Sequence, residues 1–199
     1  MGPPVISYLR SHWFLTLPYP THSFSGQTII VTGSNTGMGL EAARHFVRLG
    51  AAKVVLAVRS LARGQVAAES ITRSTGRRGV VEVWELDLAS YASVKALAAR
   101  AAVELERLDV VVSNAALSTT DFRQAEDNEE TVTVNFVSTM LLGFLLLPKL
   151  RETSVKFNKE VVLTFVGSFV HWLTAFPERK AENILMELAD QKNARMEDR

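Results

Sequence analysis

The sequence predicts an α/β protein built on a doubly wound parallel sheet in a single domain. From Gly26 onward, short β-branched runs alternate with amphipathic stretches, which is typical of a parallel sheet with helices on both faces. The runs are continuously apolar rather than alternating, as expected for strands covered on both sides. A chain of 199 residues that is 47% hydrophobic is long enough for one well-buried core.

The pattern along the chain is β-α-β-α-β-α-β-α-β-α. We expect residues 1–25 to form an N-terminal arm and residues 26–199 to form the domain. Strands are predicted at 28–32, 53–58, 79–88, 109–116 and 160–168, and a polar loop at 117–129. Helices are predicted at 39–50, 60–76, 90–108, about 131–150 and 180–199, the second of them weakened by Gly64 and the last with Ile184, Leu185 and Leu188 on one side.

The composition excludes several classes of function. The net charge is +1, with no basic stripe, so nucleic acid is not an expected partner. The chain has no cysteine and only four scattered histidines, so we expect no disulfide and no metal site. The N-terminus is a poor signal peptide and the apolar run 140–150 is too short to span a bilayer, so we expect a soluble, cytoplasmic protein without a membrane partner.

A glycine-rich turn follows the first strand. The stretch "TGSNTGMG" at 32–39 has Gly33, Gly37 and Gly39 spaced for a tight turn, close approach of the backbone to a phosphate, and close helix packing. Alternatively, it is an ordinary strand-to-helix turn, but its place after the first strand of an alternating chain favours dinucleotide binding. We therefore expect cofactor contacts from the turn, including its residues Ser34, Asn35 and Met38.

Arg59 stands where the second strand ends. An acidic residue at this place would hold the 2′-hydroxyl of NAD, whereas the planar cation of arginine fits the 2′-phosphate of NADP(H). The alternative is a solvated arginine at a strand end. The sequence predicts NADP(H) as the cofactor.

Five motifs stand in order along the chain. They are the glycine turn; Asp87-Leu88; "SNAA" at 113–116, which includes Asn114 and Ala115; Val134-Asn135; and "VGSFVH" at 166–171, which includes Ser168. In these motifs the chain resembles the short-chain dehydrogenase/reductase family, which contacts adenine at the position of Asp87-Leu88, and its stretches "GQTIIVTGSNTGMGLEAARHFVRLGAAKVVLAVRS" and "FPERK" resemble reductases of filamentous-fungal secondary metabolism.

The resemblance implies a Rossmann-type fold and hydride transfer between NADP(H) and a small-molecule carbonyl or alcohol, in a possible homodimer. It also implies that Ser168 polarises the carbonyl and that Asn135 supports a proton relay. Two departures are Ala116, where the family has glycine, and the single serine of "VGSF", which leaves Ser168 without a neighbouring serine. His171 and Trp172 are candidates for a substrate pocket, or equally for a partly buried loop.

The resemblance also implies a general acid, the tyrosine of a Tyr-x-x-x-Lys pair. Tyr91 and Lys95 form the same pattern, "YASVK". The family's pair follows the serine strand, whereas Tyr91 opens the helix after the third strand, on the adenine side. A general acid must reach the reacting oxygen, so we interpret this pair as a coincidence on a helix surface. No tyrosine follows Ser168. We therefore expect the chain to end before the family's catalytic pair.

Three functions remain open from the sequence. The chain is an NADP(H)-dependent reductase or dehydrogenase acting on a carbonyl or alcohol in a secondary-metabolite pathway, an NADP(H)-binding module without turnover, or a truncated remnant that folds poorly. We favour the first as the role of the family.

Overall fold

The computed structural model describes residues 13–14, 16, 18–168 and 174–196. In chain order the strands are β1 (Thr28–Thr32), β2 (Lys53–Val58), β3 (Val81–Glu85), β4 (Val110–Ser113), β5 (Gln124–Ala125), β6 (Asn128–Glu129) and β7 (Val162–Phe165). Five of them form one parallel sheet in the order β3-β2-β1-β4-β7, and β5 and β6 form a short antiparallel hairpin.

Four helices cover the two faces of the sheet, as predicted for a doubly wound fold. They are α1 (Gly37–Arg48), α2 (Leu61–Thr75), α3 (Tyr91–Glu104) and α4 (Glu130–Phe157). One core lies between the sheet and α1 and α2, and includes Val47 and Ile71. The other lies under α3 and α4, and includes Leu97, Leu142 and Leu146.

The central strands are buried because their apolar side chains face both cores. Ile29 and Val31 of β1 belong to the core under α1 and α2, whereas Ile30 belongs to the core under α3 and α4. Alternation along a strand sends successive side chains to opposite faces, so a strand covered on both faces has to be apolar throughout. This confirms the fold class.

Strands β1 and β2 have the predicted bounds. Helices α2 and α3 each begin one residue after their predicted starts at 60 and 90. Ser60 and Ser90 cap these helices by accepting hydrogen bonds from Arg63 N and Ser93 N. Gly76, with a left-handed backbone, ends α2. Gly64 lets α2 lie close to the sheet, because a Cβ there would stand 2.4 Å from Val83 Cγ1.

Other predicted bounds are wrong. Strands β3, β4 and β7 are shorter than the predicted 79–88, 109–116 and 160–168. Beyond β3 and β4 the chain turns into loops that line the cleft described below. Helix α3 ends at Glu104 rather than 108 because Leu105 has extended backbone angles. The expected loop 117–129 contains the β5–β6 hairpin.

The largest corrections concern the last two helices. Helix α4 continues past residue 150 to Phe157, where Asn158 ends it with a left-handed backbone, and it contains a π-helical turn at Thr133–Ser138. The tail forms a 3₁₀ turn, Pro177–Lys180, and a helix α5 of only six residues, Ile184–Ala189, instead of a helix over 180–199.

Helix α4 is, among the described residues, the one helix long and apolar enough to cross a membrane. Its residues Leu142, Leu146 and Leu150 are nevertheless buried against the sheet. It is therefore the core helix of this fold.

A buried ion pair ties the amino ends of the central strands together. Asp109 accepts hydrogen bonds from Thr28 N at 2.8 Å and from the guanidinium of Arg107. The hydrogen bond with Asp109 raises the pKa of Arg107 above its ordinary value, so the guanidinium stays charged. It lies at the end of the sheet opposite the glycine turn and serves the fold.

Candidate functional site

The carboxyl ends of β1, β2, β3 and β4 lie at the same end of the parallel sheet, and the loops that follow these strands come together there. In a doubly wound sheet, ligands bind in the crevice where the connections diverge to the two faces, which here lies between β1 and β4. A cleft of about 200 Å³ opens at this point. Six of the residues predicted to bind a cofactor line it: Gly33, Asn35, Arg59, Asp87, Leu88 and Ala115.

The three glycines of the turn have different roles. Gly33 has a φ of +63°, and a Cβ there would lie 2.8 Å from Ala115 Cα, so only glycine fits between β1 and the loop after β4. A Cβ on Gly39 would meet Asn114 Nδ2 at 2.4 Å, so this glycine lets α1 pack closely. Gly37 has a φ of +58° and faces open space, where a phosphate can approach the backbone.

Ser34 and Met38 do not line the cleft. Ser34 is buried, and its hydroxyl donates to Val31 O at 2.8 Å, which holds the turn against the strand. The side chain of Met38 is exposed. Any contact that these two residues make with a cofactor would therefore involve the backbone of Ser34 and the outer face of α1 at Met38.

Thr32 locks the glycine turn to the loop after β4, a role that the sequence reasoning missed. Its Oγ1 accepts hydrogen bonds from Asn114 N at 3.0 Å and from Ala115 N at 2.9 Å. Asn114 Nδ2 donates in return to Thr32 O at 3.0 Å. The amide of Asn114 thus holds the loop after β4 against β1. The sequence signal for this contact was a threonine directly before the first glycine of the turn.

Two charged side chains border the cleft. Arg59 is exposed, and no described residue pairs with its guanidinium. Asp87 is fixed by a hydrogen bond from Ala89 N to its Oδ1 at 2.9 Å, and its own N–H donates to Ser93 Oγ at 2.9 Å. The cleft therefore combines an unpaired cation with a carboxylate that is held in place.

Asn135 lies in the π-helical turn of α4 and binds the backbone of the loop after β4. Its Oδ1 accepts from Leu117 N and its Nδ2 donates to Leu117 O, both at 2.8 Å. Since Leu117 lines the cleft, this side chain positions one of the cleft walls. Short π-helical turns are frequently found at functional sites.

Ser168 lies three residues beyond the end of β7 and is exposed. The chain before it continues the sheet, because Val166 N donates to Ser113 O at 2.9 Å. Ser168 is not among the residues that line the cleft. His171 and Trp172 lie outside the described residues.

Tyr91 and Lys95 lie at the start of α3. Tyr91 N donates to Glu126 Oε1, and Tyr91 Oη accepts a hydrogen bond from Asn128 at 3.3 Å. Lys95 is exposed. Neither residue lines the cleft. Within the described ranges, no group of three metal-ligating side chains occurs either.

Comparison with known proteins identifies the family of the chain. The family model for short chain dehydrogenase matches residues 27–156. A short chain dehydrogenase/reductase of Cryptosporiopsis is 49% identical over 177 residues, covering 88% of this chain and 55% of the relative. A short chain dehydrogenase of Emericella nidulans is 50% identical over 204 residues, covering 100% and 65%. The chain thus spans about half to two thirds of the length of these two fungal relatives.

Solved structures show the same fold. A putative short chain dehydrogenase from Escherichia coli, complexed with NADPH, has a TM-score of 0.64 and 31% identity, over 77% of this chain and 63% of that one. A short chain dehydrogenase from Shigella flexneri, complexed with NADP, has a TM-score of 0.62 and 26% identity, over 83% and 66%.

Proposed function

The chain belongs to the short-chain dehydrogenase family, whose members bind a nicotinamide cofactor, and we propose that its own cofactor is NADP(H). We further propose that it forms the nicotinamide-binding part of an oxidoreductase that acts on a carbonyl or alcohol in secondary metabolism. The fungal relatives support this placement. The cofactor-binding domain would comprise residues 26–199 and the arm residues 1–25.

The guanidinium of Arg59, which pairs with none of the described residues, carries the proposal of NADP(H). It lies at the end of β2, in the same cleft as Gly33 and Asn35 of the turn. A free guanidinium offers a planar set of donors to a 2′-phosphate, whereas no acidic residue at this strand end could accept from a 2′-hydroxyl. The two neighbours complexed with NADPH and NADP support the same choice.

The residues of the cleft fit the rest of the dinucleotide. The open side of Gly37 and the amino end of α1 suit the pyrophosphate. Asp87 and Leu88 line the cleft where we propose that the adenine lies, and Asn114 and Ala115 border the turn from the other side. When bound, the nicotinamide supplies a hydride to a carbonyl or takes one from an alcohol.

We propose Ser168 and Asn135 as the residues of this chain that serve the reaction. Ser168 would donate a hydrogen bond to the substrate oxygen. Asn135 would act through Leu117, since both atoms of its amide hold the backbone of that residue. The Tyr91 and Lys95 pair stays outside this proposed scheme, and its tyrosine hydroxyl accepts a hydrogen bond from Asn128.

The cofactor proposal is tested by exchanging the charge at residue 59. In Arg59→Asp, the dissociation constant for NADPH should rise by about 10-fold to 100-fold, because hydrogen bonds to charged groups contribute about 1.5–3 kcal/mol. Binding of NADH should change by less than about threefold. Arg151→Asp makes the same charge change on an exposed arginine of α4 and should leave both constants unaltered. Equal weakening of NADPH and NADH by Arg59→Asp would refute the 2′-phosphate contact.

A second candidate is cofactor binding without turnover by these 199 residues. Its support is that the three tyrosines, Tyr8, Tyr19 and Tyr91, all precede Ser168. The chain would then bind NADPH but reduce no carbonyl compound. Reduction of a carbonyl compound by the wild-type chain would contradict this candidate. Loss of that reduction in a folded Tyr91→Phe variant would also contradict the exclusion of Tyr91.

We also propose a cytoplasmic location and a homodimer with α4 at its interface. The absence of cysteine is consistent with the first. Phe144 is an exposed phenylalanine on α4, which is consistent with the second. Sedimentation at several concentrations would test the dimer.

A further inference from the structure

A second cavity, of about 610 Å³, lies between the start of α4 and the tail of the chain. Its volume is in the range of pockets that enclose small organic ligands, about 300–1,000 Å³. The walls are mainly apolar and come from two segments far apart in sequence, with the side chains of Val132, Phe136, Phe176, Ile184, Leu185 and Leu188. We call this cavity the apolar groove.

The walls of the apolar groove retain much solvent exposure. Phe136 is 56% exposed and Phe176 is 39% exposed, although both face the same cavity. Large apolar side chains gathered at one concave surface are typical of a binding site, whereas isolated exposed ones are common on any protein. The groove therefore offers apolar surface that a ligand would cover.

Phe176 has an unusual backbone in addition to its exposure. Its φ is +44° and its ψ is +64°, the left-handed region that a bulky side chain rarely adopts. Such a conformation costs about 1–3 kcal/mol, and residues that adopt it cluster at ligand-binding and active sites. The strained residue is at the turn that leads into Pro177–Lys180 and has its ring in the groove wall.

The apolar groove shares a wall with the cofactor cleft. Val134 lines the cleft, and the next residue, Asn135, lines the groove. The amide of Asn135 binds the backbone of Leu117, which is itself part of the cleft. Because consecutive residues of α4 line the two cavities, we infer that a molecule in the groove would lie near the proposed cofactor.

Four polar residues line the groove, Thr131, Asn135, Thr174 and Glu178, and the last two restrict the chemistry of the ligand. Thr174 Oγ1 accepts from Phe176 N at 3.1 Å, which leaves its hydroxyl proton as a donor. Glu178 lines the groove, and among the described residues no partner pairs with its carboxylate. A carboxylate accepts hydrogen bonds and repels anions, and the apolar walls make any charged ligand costly to bury, so together they select an uncharged ligand with a hydroxyl donor.

We propose that the apolar groove, whose volume suits a small organic molecule, binds an uncharged, largely apolar ketone that bears a hydroxyl group, as the substrate or product of the same site. This inference rests on the proposed oxidoreductase function. The tail therefore sets the substrate specificity, through the ring of Phe176, the side chain of Leu185 and the carboxylate of Glu178.

The test uses hydroxytetralone, a two-ring aromatic ketone with a phenol, and its methoxy analogue. Binding of each to the 199-residue chain is measured by calorimetry, in parallel with NADPH. Leu185→Glu should weaken hydroxytetralone at least tenfold, because a charge would enter the apolar wall. Met186→Glu is the matched control, since Met186 follows on the same helix but does not line the groove, and it should change binding by less than about twofold.

The proposed hydrogen bond from the ligand's hydroxyl to Glu178 is tested separately. The methoxy analogue lacks the donor and should bind wild type about tenfold more weakly than hydroxytetralone, and this difference should disappear in Glu178→Ala. Phe176→Gly should lose binding while the free energy of unfolding is kept or raised, because glycine adopts the left-handed backbone without strain.

Each result has one consequence. Wild type that binds NADPH but not hydroxytetralone overturns the groove proposal and leaves the oxidoreductase function standing. Binding of hydroxytetralone without NADPH would instead contradict the proposed function. Equal weakening by Leu185→Glu and Met186→Glu, with both variants folded by circular dichroism, also overturns the groove.

Discussion

The two edges of the central sheet, β3 and β7, differ in how they meet solvent. On β3, Trp84 is 1% exposed, and the guanidinium of Arg100 lies 4.2 Å from the centre of its ring. On β7, Val162 is 46% exposed and Phe165 is 41% exposed. One edge is covered by charged side chains of its own half, whereas the other presents apolar surface.

Charged groups protect the β3 edge through a small network. Glu82 accepts a hydrogen bond from Trp84 Nε1 at 3.0 Å and pairs with Lys53 of the neighbouring strand. Charged side chains on an edge strand discourage pairing with another sheet. The half of the fold that carries the glycine turn and Arg59 is therefore closed by its own residues.

The β7 half contains the proposed reaction residues and is the more open of the two. Ser168 follows β7, and the apolar groove lies between α4 and the tail. The half with the proposed cofactor site is thus closed by its own side chains, whereas the half with the proposed reaction residues leaves apolar side chains exposed.

Removal of the tryptophan on the closed edge should have a severe consequence. Trp84→Ala should lower the free energy of unfolding by about 3–5 kcal/mol, since it leaves a cavity in the core under α3 and α4. Phe165→Ala on the open edge should cost less than about 2 kcal/mol, because the ring is only partly buried. Urea denaturation compares the two, and equal losses would remove the distinction between the edges.

Gly64→Ala tests packing in the closed half. A Cβ at this position would lie 2.4 Å from Val83 Cγ1 and 2.7 Å from Val58 Cγ2, both on stiff β-branched side chains. Overpacking should exceed the gain in helix propensity and lower the free energy of unfolding by about 1–2 kcal/mol. Unchanged or higher stability in thermal unfolding would show that the two strands yield easily.

Gly143→Ala makes the same change in the open half, with the opposite sign expected. The new Cβ would lie 3.0 Å from Phe165 Cζ, the far end of a partly exposed ring that can move aside. The gain in helix propensity should then prevail and raise the free energy of unfolding by about 0.5–1 kcal/mol. A loss of stability as large as that of Gly64→Ala would mean that the open edge is packed as rigidly as the closed one.

The network around Glu82 should also make a smaller, pH-dependent contribution to the free energy of unfolding. Burial tends to raise the pKa of Glu82, but hydrogen bonds from Lys53 and Trp84 and the charges of Lys53 and Arg100 together lower it below its ordinary value. The carboxylate therefore stabilises the fold above its unfolded pKa, and this contribution is lost as the pH falls through the folded pKa.

Glu82→Gln should accordingly lower stability at neutral pH by less than about 1 kcal/mol and should flatten the loss of stability between about pH 5 and pH 3. Urea midpoints across this range measure the effect. Glu85→Gln, an exposed residue of the same strand, serves as the control. If both variants follow the wild-type curve, Glu82 does not support the closed edge.

The sequence by itself determined the framework of this protein. The bounds of β1 and β2 follow from unbroken β-branched runs, and the starts of α2 and α3 follow from Ser60 and Ser90 as caps. These are local signals, carried by neighbouring residues. The parallel order and the cleft at the glycine turn follow from the alternation of strands and helices.

Only the tertiary structure decided which groups the side chains of the candidate site contact. Thr32 binds Asn114 and Ala115 across 82 and 83 positions of sequence, and both amide atoms of Asn135 are held by Leu117. The tail is helical over only six residues, and its apolar side chains line a groove with the start of α4. Such contacts join residues distant along the chain, and a local pattern cannot specify them because it carries no information about which segments become neighbours.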